Sequence, residues 1–229
     1  MGSEAPRRVT IHVTGFKKFQ GVAQNPTETI ASNLKNYLEK RGLLPGVTLG
    51  SCTILETAGD GALAMLYKVM ESGIAGENDS NNEQVVWLHL GVNSASIKFA
   101  IEQQAVNEAT FRCPDELGWQ PQQLPIVLAD GGISRTRETC CSVEAILDLL
   151  KEGHSVTISK DAGRYVCNYV YYHSLRYAEQ KGHKSIFVHV PLFSKIKEET
   201  QMEFVAALLE ASTCFSTCLH QHVDIIYLN

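Results

Sequence analysis

The run Gln84-Val-Val-Trp-Leu-His-Leu90 is apolar at successive positions, so its pleat presents a hydrophobic surface on both sides. A strand of that kind must be covered on both faces, which is the situation of a central strand in a parallel sheet. Other segments supply the rest of such a sheet. Val9-Thr-Ile-His-Val-Thr14 reads as a first strand ending at Gly15, Val47 to Thr57 as a second, and Ser185 to Val190 as a buried strand stopped by Pro191. A helix is expected over about 26 to 41, with Asn25 as N-cap, Pro26 at the first position, Glu28 completing a capping-box-like arrangement and Gly42 as the stop. Asp60 to Ser72 places Leu63, Leu66, Tyr67 and Met70 on one helical face. A further element spans Glu138 to Glu152, a helix runs from Cys167 to about Lys181, and a last one lies near 197 to 211. Phe99 to Ala109 reads as extended, with a helix as the alternative. Strands alternating with helices in this way predict a three-layer α/β/α sandwich around a largely parallel, twisted central sheet. The stretches 76–83 and 110–138 read as surface loop excursions of a single domain over 1–229.

Composition narrows the function classes. With 44% hydrophobic and 20% charged residues, 229 residues suit one sizeable core. The net charge of −5 comes from 25 acidic and 20 basic residues without a basic stripe, which disfavours a nucleic-acid partner. No apolar run approaches the ~20 residues that cross a bilayer, and Met1-Gly-Ser-Glu-Ala-Pro6 lacks the features of a signal peptide. Seven cysteines without CxxC spacing read as reduced thiols, so a cytoplasmic location with no membrane partner is expected. Cys214 and Cys218, spaced i, i+4 on an expected helix, are more simply buried small side chains than a disulfide or metal pair. The Asn78-Asp-Ser80 sequon carries no weight in a chain without a secretory signal. No metal and no cofactor are expected, and a homo-oligomer is left open.

In sheets of this type ligands bind beyond the carboxyl ends of the strands. Three segments fall there: Thr14 to Gly21, Gly91 to Ser94, and His189. HExxH, GxSxG, P-loop and GxGxxG patterns are absent, which sets aside the commoner hydrolase and nucleotide-binding classes. What remains is Cys167, just inside a helix that follows the Gly-containing turn Ser159-Lys-Asp-Ala-Gly-Arg164. A helix N-terminus favours thiolate over thiol, and the thiolate is the attacking form. His189 at a strand end supplies a base, and a carboxylate that orients it would complete an acyl-transfer triad. Each residue type also has a plain structural use: free cysteines are often buried in helices, strand-end histidines can bond a backbone carbonyl, and Phe16 and Phe19 can be core aromatics.

Taken together, four blocks resemble the pyroglutamyl-peptidase I family, the pyrrolidone carboxyl peptidases among the cysteine peptidases, and its eukaryotic, plant-like members most closely. They are Val13 to Gly21 with Asn25-Pro26, His89 to Val92 through Glu102, Ser159 to Asn168, and Phe187 to Pro191. The resemblance implies a cysteine omega-peptidase that hydrolyses the N-terminal pyroglutamyl residue from peptides through a thioester acyl-enzyme. It implies Cys167 as nucleophile, His189 as base and acid, and Glu102 as the group orienting the imidazole. Phe16 and Phe19 would line the slot for the pyrrolidone ring, with Asn25, Gly91 and Val92 completing the substrate contacts. Helix N-terminal amides near Asp161 to Tyr165 are candidates for stabilising the oxyanion. The chain departs from the family pattern at Lys18, Gln20, Asn93 to Ser96, and Leu192-Phe193. Two other readings therefore stay open: a thiol hydrolase of another small cyclic amide, and a catalytically silent homologue that keeps the pocket.

Overall fold

The computed structural model describes residues 8–74 and 83–211. A six-stranded sheet forms its centre, built from β1 (Arg8–Phe16), β2 (Val47–Leu55), β3 (Glu83–Val92), β4 (Phe99–Glu102), β7 (Val156–Ser159) and β8 (Lys184–Val190) in the order β2-β1-β3-β8-β4-β7. The first four strands in that order run parallel, while β4 pairs antiparallel with β8 and parallel with β7. Two short strands, β5 (Gln104–Val106) and β6 (Thr136–Glu138), form a separate antiparallel pair.

Helices α1 (Pro26–Arg41), α3 (Val143–Leu150) and α5 (Glu198–Glu210) cover one face of the sheet, and α2 (Gly59–Ile74) and α4 (Val166–Lys181) cover the other. Alternation along each strand feeds the two cores. Val86, Leu88 and Leu90 of β3 meet the α1/α5 side, whereas Val85 and Trp87 meet the α2/α4 side. All are buried, as the two-sided apolar run requires. The start of α1 is fixed by Asn25, whose Oδ1 accepts from the Thr27 amide at 3.1 Å. No helix among the described residues is long and apolar enough to cross a membrane.

Several local expectations are corrected. The first strand does not stop at Gly15 but carries on to Phe16. Phe99 to Ala109 is neither one strand nor a helix: β4 ends at Glu102 and the chain passes into a different sheet at Gln104. Glu138 closes β6, and the helix beyond it begins only at Val143. The edge strand β7 has too few residues to show a period. The segment 110–138 is more than a surface excursion, because Phe111 and Asp115 are buried and pack or bond beneath it. Asp115 accepts from the amides of Gly59, Leu117 and Trp119 at 2.8 to 3.0 Å, which ties the segment to the start of α2. Of the expected loop 76–83, Glu83 is the first residue of β3; residues 76–82, with the Asn78 sequon, and Cys214 and Cys218 lie outside the described residues.

Candidate active site

The turn before α4 is held by its own side chains. Ser159 Oγ accepts the Asp161 amide at 3.2 Å, Asp161 Oδ1 accepts the Gly163 amide at 3.0 Å, and Gly163 takes φ 80°, a conformation open to glycine. Arg164 pins the turn through Asp161 and Glu108, at 2.6 and 3.0 Å. The helix then opens at Val166 with no side-chain cap on Tyr165, so Cys167 is its second residue, among N–H groups that have no intrahelical acceptor. Of the expected oxyanion donors, the Asp161 and Gly163 amides are committed inside the turn. The first turn of α4 adds open amides beside the remaining ones.

The residue after the nucleophile candidate is an anchor. Asn168 is fully buried; its Oδ1 accepts from the Val106 amide at 2.9 Å and its Nδ2 donates to the carbonyls of Val106 and Glu108 at 2.8 and 3.0 Å. One turn along α4, the Tyr171 hydroxyl donates to the Glu102 carbonyl at 2.9 Å. Neither role was foreseen, although Asn168 stands next to Cys167 in the motif.

His189 and Glu102 meet through strand register. In the antiparallel β4–β8 pair, Ala100 lies opposite His189 and Glu102 opposite Phe187, so Glu102 and His189 are diagonal neighbours on one face. Glu102 Oε1 and His189 Nδ1 are 2.7 Å apart, with both side chains buried. Burial by itself would lower the imidazole pKa. The hydrogen bond and charge of Cys167 and those of Glu102 outweigh it, and the pKa is raised to about 10. Glu102 occupies Nδ1, so Nε2 is left for a partner other than Glu102.

Gly91 sits beside His189 in the β3–β8 register. A Cβ there would lie 2.6 Å from the Phe187 ring and 2.9 Å from Cys167 Sγ. The residue leaves room for the Phe187 ring and the thiol, and its neighbour Val92 is the one that lines the cavity.

A cavity of about 330 Å³ opens over these groups. It brings together Cys167, His189 and Glu102 with Phe16, Phe19 and Val92. Asn25 also reaches the wall, but its polar atoms face the protein: Nδ2 donates to Lys17 O at 2.9 Å and Oδ1 accepts from Thr27. It braces the loop that carries Phe19. Phe16 is buried, with its ring centroid 6.4 Å from that of Phe187, and its amide donates to Thr27 Oγ1 at 2.9 Å.

A family model described as pyroglutamyl peptidase matches residues 9–205. The chain belongs to the pyroglutamyl peptidase family. Among the members of this pyroglutamyl peptidase family it is 30% identical to the pyrrolidone-carboxylate peptidase of Pyrococcus furiosus over 78% of this chain and 79% of that one. It is 29% identical to that of Klebsiella pneumoniae over 93% and 94%. The fold is similar to a solved mutant pyrrolidone carboxyl peptidase from Pyrococcus furiosus, with TM-score 0.74 at 28% identity, covering 88% of this chain and 97% of that one. The pyrrolidone carboxyl peptidase of Thermococcus litoralis gives TM-score 0.73 at 26% identity, covering 89% and 92%. In this pyroglutamyl peptidase family member a Cys, a His and a Glu line one cavity together with Phe16 and Phe19.

Proposed function

We propose that this chain is a cysteine-type hydrolase that removes the pyroglutamyl residue from the N-terminus of peptides. The observation that carries the reading is the joining of Cys167, His189 and Glu102 with Phe16 and Phe19 around one small cavity. In this reading the Cys167 thiolate attacks the exocyclic carbonyl carbon of the pyroglutamyl residue, and the oxyanion that forms faces the open amides of the first turn of α4. The C–N bond breaks as the His189 imidazolium gives its proton to the departing amine, leaving a thioester on Cys167. His189 then takes a proton from water, the hydroxyl adds to the thioester, and the C–S bond breaks to release pyroglutamic acid and restore the thiolate beside the His189 imidazolium. Glu102 holds the imidazole in place through Nδ1.

The slot between Phe16 and Phe19 suits a flat neutral lactam, and a free charged amine would lose its hydration there. N-terminally pyroglutamylated peptides are accordingly the substrates, and the whole of 1–229 is read as one such domain. The resemblance of the four blocks is read as that of a eukaryotic-type member, whereas the relatives named above are bacterial or archaeal. Seven cysteines without CxxC spacing support a cytosolic location.

Turnover of a fluorogenic pyroglutamyl amide tests the reading. Release of the fluorophore by the intact chain, lost in Cys167→Ser and in His189→Ala, is expected. Absence of turnover in the intact, folded chain, or full activity in Cys167→Ser, would overturn it.

A further inference from the structure

Resting on that reading of the site, we infer that Arg112 recognises a carboxylate on the leaving-group side of the substrate, so that the enzyme prefers pyroglutamyl peptides whose second residue carries a free carboxylate. Arg112 lines the same cavity as Cys167 and His189. Among the described residues Arg41, Arg137, Arg164 and Arg176 each face a carboxylate, whereas Arg8, Arg112 and Arg135 face none, and of these three only Arg112 lines the cavity. The carboxylates of the cavity wall are already engaged, Glu102 with His189 and Asp161 with Arg164. The uncommitted fixed charge at the wall is therefore positive, in a chain whose net charge is −5.

Its backbone is held on both sides. Phe111 is fully buried, with ring centroids 4.7 Å from Tyr165 and 5.2 Å from Trp119. On the other side the Tyr165 hydroxyl donates to the Pro114 carbonyl at 3.2 Å. Tyr165 is also the uncapped residue before α4, so the Arg112 segment is fastened to a helix N-terminus that itself favours negative charge. The substrate decides what that charge can meet. The pyroglutamyl ring is neutral and its amine is blocked, so charge lies only beyond the scissile bond. In a pyroglutamyl dipeptide, or where the second residue is acidic, a carboxylate comes within a few residue bonds of that bond. A planar guanidinium can receive it through two hydrogen bonds.

Kinetics on two matched pairs test this with the full chain: pyroglutamyl-alanine against pyroglutamyl-alaninamide, and pyroglutamyl-glutamyl amide against pyroglutamyl-glutaminyl amide. The first reports an α-carboxylate, the second a side-chain carboxylate. For at least one pair, the acid is expected to exceed the amide by about tenfold in kcat/KM, mainly through KM. Arg112→Met should abolish that preference while leaving turnover of the neutral partner unchanged, and Arg112→Lys should keep part of it. Iodoacetamide labelling of Cys167 at the intact rate identifies a folded variant. The inference is overturned if neither pair shows a preference, or if Arg112→Met retains it. If none of the four peptides is cleaved, the pyroglutamyl peptidase reading falls together with it.

Discussion

The hydroxyl of Tyr171 donates to the main-chain carbonyl of Glu102 at 2.9 Å, so the helix that carries Cys167 also holds the strand end that carries the imidazole's carboxylate partner. Two arms of the site are thereby fixed to one rigid element. Tyr171 is completely buried, and burial pushes its hydroxyl well above the ordinary tyrosine range, so it stays a neutral donor. Tyr171→Phe removes that donor without opening a cavity. A stability loss of about 1 kcal/mol in urea unfolding is expected, with kcat reduced and KM nearly unchanged. An increase confined to KM would assign Tyr171 to the ring slot instead.

The His189 imidazolium should persist through neutral pH, because its pKa is raised to about 10 by Cys167 and Glu102 against the effect of burial. Loss of that proton removes the acid for the departing amine, so kcat/KM should fall on the alkaline side as pH approaches 10. Glu102→Gln takes away one of the raising interactions; its alkaline limb should move to lower pH, with kcat reduced less than in His189→Ala. The sign for stability is the same. A raised histidine stabilises the fold fully below its unfolded value of about 6.5, and the contribution fades as pH rises toward 10. An unshifted alkaline limb in Glu102→Gln would dissociate that carboxylate from the imidazole.

His89 behaves in the opposite way. It is fully buried, with Thr14 Oγ1 2.7 Å from Nδ1 and Ser174 Oγ 2.7 Å from Nε2, and the serine continues to Ser185 at 2.8 Å. Desolvation lowers its pKa to about 3, so the folded chain keeps it neutral where the unfolded chain would protonate it. Its contribution to stability is present above pH 6.5 and is lost as pH falls toward 3. Melting temperature should therefore drop over that window, and His89→Gln, which can still bond both hydroxyls, should flatten the drop. Identical slopes in the two proteins would remove His89 from the acid response.

Phe19, half-buried at the cavity wall, separates pocket from nucleophile. Phe19→Ala should raise KM for a pyroglutamyl amide by roughly tenfold, equivalent to apolar contact worth on the order of 1 to 2 kcal/mol. Cys167 should still react with iodoacetamide at its former rate. A prolyl amide, whose secondary amine is charged, should be a poor substrate of the unaltered chain. Equal kcat/KM for the pyroglutamyl and prolyl amides would mean that the ring carbonyl is not read.

Much of the sandwich was legible because its long elements carry strong periods. The two-sided apolar run of β3 and the capped start of α1 at Asn25 depend on neighbours in sequence. The failures lie where tertiary pairing decides. Nothing local marks the break between β4 and β5 at Gln103, since it follows from Asn168 gripping the backbone of Val106. Cys167, His189 and Glu102 could be named from motif blocks, but the diagonal across β4 and β8 that joins the last two is a matter of register. That Gly91 also makes room for the Phe187 ring and Sγ is a matter of packing across β3 and β8 that no local pattern shows. Arg112 drew no notice, being one arginine in a Pro- and Gln-rich segment with no period to place it.

The register of β4 against β8 also governs which insertions and deletions the gene can tolerate. Side chains alternate sides along a strand, so losing or gaining one codon between Ala100 and Glu102 would send the carboxylate through the sheet toward α1 and α5. A change of two would preserve the side but carry the carboxylate a full repeat, nearly 7 Å, along the strand. The spacing from Phe99 to Glu102 is therefore under a ruler set by the pleat.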